Sequence, residues 1–255
     1  MAPAPALADL REVCQPAAKL ALRNGEHWAG RLYMRGISLR VTRQLVRTRV
    51  SPNTLTWLMV VCGVGAGAAL LIPGLAGAVL AAVLFQGFLL FDCVDGEVAR
   101  WKRQFSTAGV YVDRLGAYLA DAALLAGAGF RAGENGFGVW STVGFATALG
   151  VVLLKASTDL VDVARARSGL AVAEDAAAQP RSQGVATLRR LASAFKLHRL
   201  TNGIEASLLL LVVAVADTVT GDLGPTRVAV ALLAAVTWVM VPAHLASILA
   251  SSRLR

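Results

Sequence analysis

Four acidic residues, Asp92, Asp95, Glu97 and Asp113, sit in a stretch bracketed by apolar sequence. The run LAGAVLAAVLFQGFLLF (75–91) precedes them and LGAYLADAALLAGAGF (115–130) follows. A carboxylate at the bilayer centre costs roughly 2.5–3.5 kcal/mol on insertion scales, and clustered carboxylates repel one another. Such a cluster calls for a strong counter-charge, and a divalent cation is the simplest. Asp92, Asp95, Gly96 and Ala99 recur at i, i+3, i+4 and i+7 and share one helix face. Gly109, Asp113, Gly116, Ala117, Ala120 and Asp121 repeat the arrangement in the next segment. Two antiparallel helices can bring Asp92, Asp95 and Asp113 together with small residues around them. Carboxylate oxygens suit Mg²⁺ or Mn²⁺, and Mg²⁺ usually also takes substrate phosphate and water. The three ionised aspartates carry −3; one divalent ion leaves −1 and two leave +1. A diphosphate-containing substrate can balance that remainder. The competing arrangement is a salt-bridge network with Arg100, Lys102, Arg103 or Arg114. Aspartates flanked by Gly and Ala make a poor bridge and a good cavity.

The elements that must position these residues are apolar helices. The chain is 56% hydrophobic and only 16% charged, with a mean hydropathy of +0.60. Soluble domains carry roughly 25% charge. Several apolar runs approach the ~20 residues that cross a bilayer, and the alternation of a β-barrel is absent. The expected fold is all-α, a polytopic membrane protein with six spans at about 54–72, 75–100, 108–130, 136–164, 203–221 and 224–250. Asn53 or Thr54 can cap the first span, and Pro73-Gly74 turns the chain into the second. Gly63, Gly65 and Gly67 are helix-packing residues rather than a phosphate loop, because no strand precedes them. Residues 28–50 mix Arg with Trp28, Leu32, Tyr33, Ile37, Val41 and Leu45 at three- and four-residue steps. That spacing predicts an amphipathic helix on the membrane surface. Residues 1–27 read as an Ala-rich, mixed-charge head, able to form helix but poorly fixed, and 168–200 as a long loop with a short basic helix at 185–199. The organisation is a 1–50 cytoplasmic and interfacial segment followed by a 51–255 membrane domain.

Net charge is +9. The basic residues lie between apolar runs, so anionic headgroups and topology explain them better than nucleic acid does. Arg100, Lys102, Arg103, Arg165, Arg167, Arg181, Arg189, Arg190, Lys196, Arg199, Arg253 and Arg255 would all face one side, with Arg131 and Arg227 opposite. The positive side is cytoplasmic, which puts both termini and the entry to the acidic cluster there. Asp217 and Asp222 then fall at the outer interface. Cys14, Cys62 and Cys93 are isolated, and His27, His198 and His244 are scattered. Neither a zinc pattern nor a disulfide framework is present. The mixed, polar N-terminus lacks a cleavable signal pattern, so the first span serves as the targeting signal. Lys155 can meet an anionic acceptor or pair with Asp159 and Asp162; His244, after Pro242, reads as a packed kink residue.

Asp92-x-x-Asp95-Gly96-x-x-Ala99-Arg100, eight residues, Gly109-x-x-x-Asp113 resembles the signature of the CDP-alcohol phosphotransferase (phosphatidyltransferase) family. Pro-Asn-x-Leu-Thr (52–56), six spans and an interfacial N-terminal helix also resemble it, over about residues 28–250. The resemblance implies that Asp92, Asp95 and Asp113 bind Mg²⁺ or Mn²⁺. It implies that Gly96, Ala99 and Gly109 shape the pocket of a CDP-linked donor, with Arg100 on phosphate or at the helix end. An alcohol acceptor, membrane lipids and a homodimer are the other implied partners. Separately from the resemblance, the Ala, Gly and Arg bias of the composition points to a GC-rich bacterium, so the expected location is a bacterial cell membrane, with the active site open to the cytoplasmic side as the Lys and Arg distribution requires.

The family signature ends with a fourth Asp, four residues after the third, taken as the general base. Here that position is Ala117. Three readings follow. Asp121 substitutes from one turn deeper, at the cost of ~6 Å of axial shift. The acceptor ionises without a protein base. Or the protein binds a CDP-linked molecule without turning it over. The implied activity is transfer of a phosphatidyl or similar phospho-alcohol group from CDP-diacylglycerol or a related donor to an alcohol, with release of CMP. A non-catalytic ligand-binding relative is the alternative. A carboxylate-lined cation transporter is a third class, which the Asp-Gly-Ala-Arg spacing disfavours.

Overall fold

The computed structural model describes residues 5–16, 28–171, 201–251 and 254. Among these residues every regular element is helical. Helix α1 is Leu7–Cys14. A π-helical turn, Gly30–Met34, leads into α2, Arg35–Leu45. The longer helices are α3 (Pro52–Ala69), α4 (Gly74–Lys102), α5 (Thr107–Ala132), α6 (Val139–Arg167), α7 (Gly203–Thr220) and α8 (Gly224–Ala250). The expected 185–199 helix and its basic residues lie outside the described residues.

The helix starts follow capping chemistry. Ser51, not Asn53 or Thr54, caps α3: its Oγ accepts from Thr54 N at 3.2 Å. Pro52 then takes the first helical position, where a missing N–H costs nothing. Ser106 does the same for α5, accepting from Gly109 N at 2.9 Å. Gly74 opens α4 at φ +75°, a left-handed conformation that Gly adopts without strain.

Helices α4, α6, α7 and α8 are long and apolar enough to cross a membrane. The other two expected spans are helical, with polar residues at the start of one and within the other. Helix α3 begins Pro-Asn-Thr, and α5 carries Asp113, Arg114, Asp121 and Arg131.

The chain forms two compact units, Met1–Ala66 with Val83–Ala120, and Gly67–Ala82 with Asp121–Arg255. In the first, Leu55, Val94 and Val98 form a core with Val41, Leu45 and Leu90 against it. A second cluster joins Leu10, Cys14 and Leu39, with Trp101 packed on it. The reading of the N-terminal head as poorly fixed is corrected for residues 5–16, because Leu10 and Cys14 are fully buried. Gly63 packs directly on Ala120 and Phe88, where a Cβ would collide.

In the second unit Leu125, Ala148, Val151 and Leu233 form the core. Gly67 packs on the Ala123 backbone and Gly129 on Gly144, so backbones approach through small residues. Asp217 is buried, near the end of α7. It accepts from Arg131 Nη2 at 3.2 Å and from Thr226 Oγ1 and N at 2.6 and 3.1 Å. A buried carboxylate requires such partners, and the sequence separation of 86 residues hid this one.

Candidate active site

All three aspartates of the sequence motif belong to the first unit. Asp95 is 8% exposed, whereas Asp92, one turn earlier on α4, is exposed. Asp113 is half-buried on α5. The three carboxylates form a loose group, with Asp95 within electrostatic reach of the other two. It is not a finished cage. Among the described residues, no three His, Cys, Asp or Glu side chains are grouped closely enough to hold a metal ion as they stand. The fit to a divalent cation is one of donor chemistry: three carboxylates that repel one another and offer only oxygen ligands.

The second helix to reach Asp95 is α3. Thr56 Oγ1 donates to Asp95 Oδ2 at 2.7 Å. Pro-Asn-x-Leu-Thr thus contributes a side chain to the acidic cluster, a role that sequence reasoning did not assign. Its neighbour Asn53 explains Gly109. A Cβ on Gly109 would meet Asn53 Oδ1 at 2.7 Å and Ser106 Oγ at 2.9 Å. Ser106 donates to that Asn53 oxygen at 3.0 Å. Asn53, Thr56, Trp57, Ala108, Gly109 and Val112 line a cavity of about 60 Å³.

Gly96 and Ala99 are half-buried on the expected face of α4. The gap at Gly96 is occupied by Arg100 itself: a methyl on Gly96 would come 3.1 Å from Nη1 and 3.4 Å from Nη2. Arg100 Nε donates to the Cys14 carbonyl at 2.6 Å. Lys102 Nζ donates to the carbonyls of Thr48 and Val50, each at 2.8 Å, and so holds the chain after α2.

Glu97, counted with the acidic residues but given no role by the motif, is fully buried. Its Oε1 accepts from Ser38 Oγ at 2.7 Å and Gln15 Nε2 at 2.8 Å, and its Oε2 from Thr42 Oγ1 at 2.7 Å. Arg35 Nη1 stands 3.6 Å away. Ser38 and Thr42 lie one helical turn apart on α2, but no spacing links them to Gln15 or Glu97, so no sequence pattern announces the group. Burial, together with the Glu97 charge, pushes the Cys14 thiol up to about 11; Arg100 opposes the shift.

Asp121 lies in the second unit, 3% exposed. Its Oδ2 accepts from Lys155 Nζ at 2.7 Å. Lys155 is thus tied to α5, a partner the sequence reading did not consider beside Asp159 and Asp162. His244 Nε2 is 3.0 Å from Thr158 Oγ1.

Residues 49–157 match the family model of CDP-alcohol phosphatidyltransferases. That interval contains Asn53, Thr56, every motif residue from Asp92 to Asp113, and Asp121 and Lys155. The bifunctional IPC transferase and DIPP synthase of Thermococcus kodakarensis is 28% identical over 156 residues, covering 59% of this chain and 34% of that protein. The chain therefore spans about a third of the length of that curated relative.

Proposed function

We propose that this protein is an integral membrane transferase that moves a phospho-alcohol group from a CDP-linked donor to an alcohol acceptor. CDP-diacylglycerol is the donor we favour, with a phospholipid as product. One observation carries the reading: the family match at 49–157 encloses a buried aspartate within electrostatic reach of two others, each at its motif position. Asp92, Asp95 and Asp113 would hold Mg²⁺ or Mn²⁺. A divalent ion there would neutralise charge on the transferring phosphoryl group and on leaving CMP. Gly96, Ala99, Arg100 and Gly109 would flank the nucleotide. The acceptor oxygen forms a bond to the β-phosphorus, the bridging P–O bond breaks towards the α-phosphate, CMP leaves, and the acceptor proton passes to solvent. The six-span count, the division at residue 50, the interfacial position of α2, the cytoplasmic opening, a bacterial membrane and a homodimer belong to this same reading.

The test is CMP release by purified protein with Mg²⁺ or Mn²⁺, CDP-diacylglycerol and a panel of alcohols. Turnover that Asp92→Asn abolishes is the expected result. A second reading rests on Ala117 and on the Lys155 contact to Asp121: the protein binds metal and CDP-linked ligand without turnover. CDP binding with no CMP release on any alcohol would favour it.

A further inference from the structure

Residues 5–16 precede the family match by more than thirty positions, yet they are fastened to the motif helix. Three contacts hold their C-terminal end to α4. Gln15 Nε2 donates to Glu97 Oε1 at 2.8 Å, Cys14 Sγ to the Glu97 carbonyl at 3.3 Å, and Arg100 Nε to the Cys14 carbonyl at 2.6 Å. At the other end Arg43 Nε donates to the Pro5 carbonyl at 3.0 Å. Leu10 and Cys14 are buried beneath. The segment is a strap across the end of α4.

The strap acts on Arg100. An arginine at a helix end has several rotamers, and an unbraced guanidinium sweeps a wide volume. Here the Cys14 carbonyl takes Nε, and the Nη1 and Nη2 ends lie over Gly96. Arg100 is also within electrostatic reach of Asp95. A guanidinium held by Nε presents its two Nη groups as a fork, the geometry that engages phosphate oxygens bidentately. We infer that the N-terminal strap is a positioning element of the donor site: it aims the Arg100 fork over Gly96 to receive the donor's diphosphate. This rests on the CDP-donor reading above and extends the site to residues outside the family match. Gln15 is a positioning residue, since it acts by fixing the adjacent Cys14 carbonyl.

The test measures equilibrium binding of CDP and of cytidine, with Mg²⁺, to the full-length protein. Gln15→Ala is the first variant, because Glu97 keeps Ser38, Thr42 and Arg35. Arg43→Ala, which frees the strap at Pro5, is the second. Each should weaken CDP about three- to tenfold, the size of one net hydrogen bond, and leave cytidine unchanged. In an Arg100→Ala background neither should add a further loss, because both act through that guanidinium. Lowered thermal stability with unchanged CDP affinity would reduce the strap to a fastening. Tighter CDP binding would make it a cover. A further loss in the Arg100→Ala background would remove Arg100 from the argument. If the wild-type chain binds no CDP, the function reading falls as well; if it releases CMP while the strap variants bind normally, only this inference does.

Discussion

Ala117 is where the chemistry of this chain is most open to measurement. An alanine accepts no proton, and Asp121, eight residues after Asp113, meets Lys155 at 2.7 Å. A general base typically contributes roughly 10²–10⁴-fold. We expect Ala117→Asp to change CMP release less than tenfold, because in the proposed reaction the acceptor gives up its proton without a protein base. Activity appearing from none would show that the native chain is not a conventional enzyme. Glu97 makes a different prediction. Its removal in Glu97→Ala takes the carboxylate acceptor from the Thr42 hydroxyl and from the Gln15 amide and Ser38 hydroxyl, which keep only the Arg35 carbonyl, and it strips Arg35 of its counter-charge. Each lost partner costs about 1–3 kcal/mol, so thermal unfolding in detergent should shift down sharply. Cys14 supplies the pH dependence. Its thiol is raised from 9.0 to about 11, chiefly by burial. The folded protein therefore holds this proton more tightly than the unfolded chain does. That contribution to stability is complete below about pH 9 and is lost as pH climbs through the folded value. At pH 8 the native thiol should react with iodoacetamide far more slowly than a free cysteine; rapid labelling of Cys14 would contradict its burial.

At the scale of elements, small residues set how closely helices approach. Gly63 faces Ala120 and Phe88 in one unit, and Gly67 faces Ala123 in the other. The Gly-x-x-x-Gly spacing announces this packing from sequence alone. Gly63→Leu should abolish the monodisperse folded protein in detergent, because the added side chain meets Ala120 in a packed helix contact. The caps were half legible. The Ser51-Pro52 restart marks a helix boundary, but only the 3.2 Å bond from Thr54 N shows that Ser51 accepts it. Helix α2 was read from the spacing of its apolar residues. Its buried positions are Ser38, Leu39 and Thr42, two of them polar, because the surface they meet contains the Glu97 carboxylate. Hydropathy spacing cannot report a face buried against a charge.

At the scale of the molecule, apolar composition and run length dictate helices that satisfy their own backbone in lipid. The second unit adds a buried pair that composition does not reveal. Arg131 is 4% exposed and reaches both the Gly74 carbonyl, at 2.8 Å, and Asp217. Arg131→Ala would strand Asp217 with Thr226 alone, a loss of about 3–5 kcal/mol for a broken buried pair. It should lower thermal stability while membrane insertion persists, since the apolar runs are untouched. The order and approximate bounds of α3 to α8 were readable because lipid leaves a polypeptide few alternatives and apolar runs are local. The aspartate spacing was readable for the same reason, as one helix turn recurs every 3.6 residues. Which residues meet across the chain was decided by packing alone: Thr56 on Asp95, Asn53 beside Gly109, Gln15 on Glu97, Arg131 on Asp217. These partners lie between 39 and 86 residues apart or share no period. A hydrogen bond records only where two atoms end up, and that position follows from the folded arrangement of helices rather than from any local pattern.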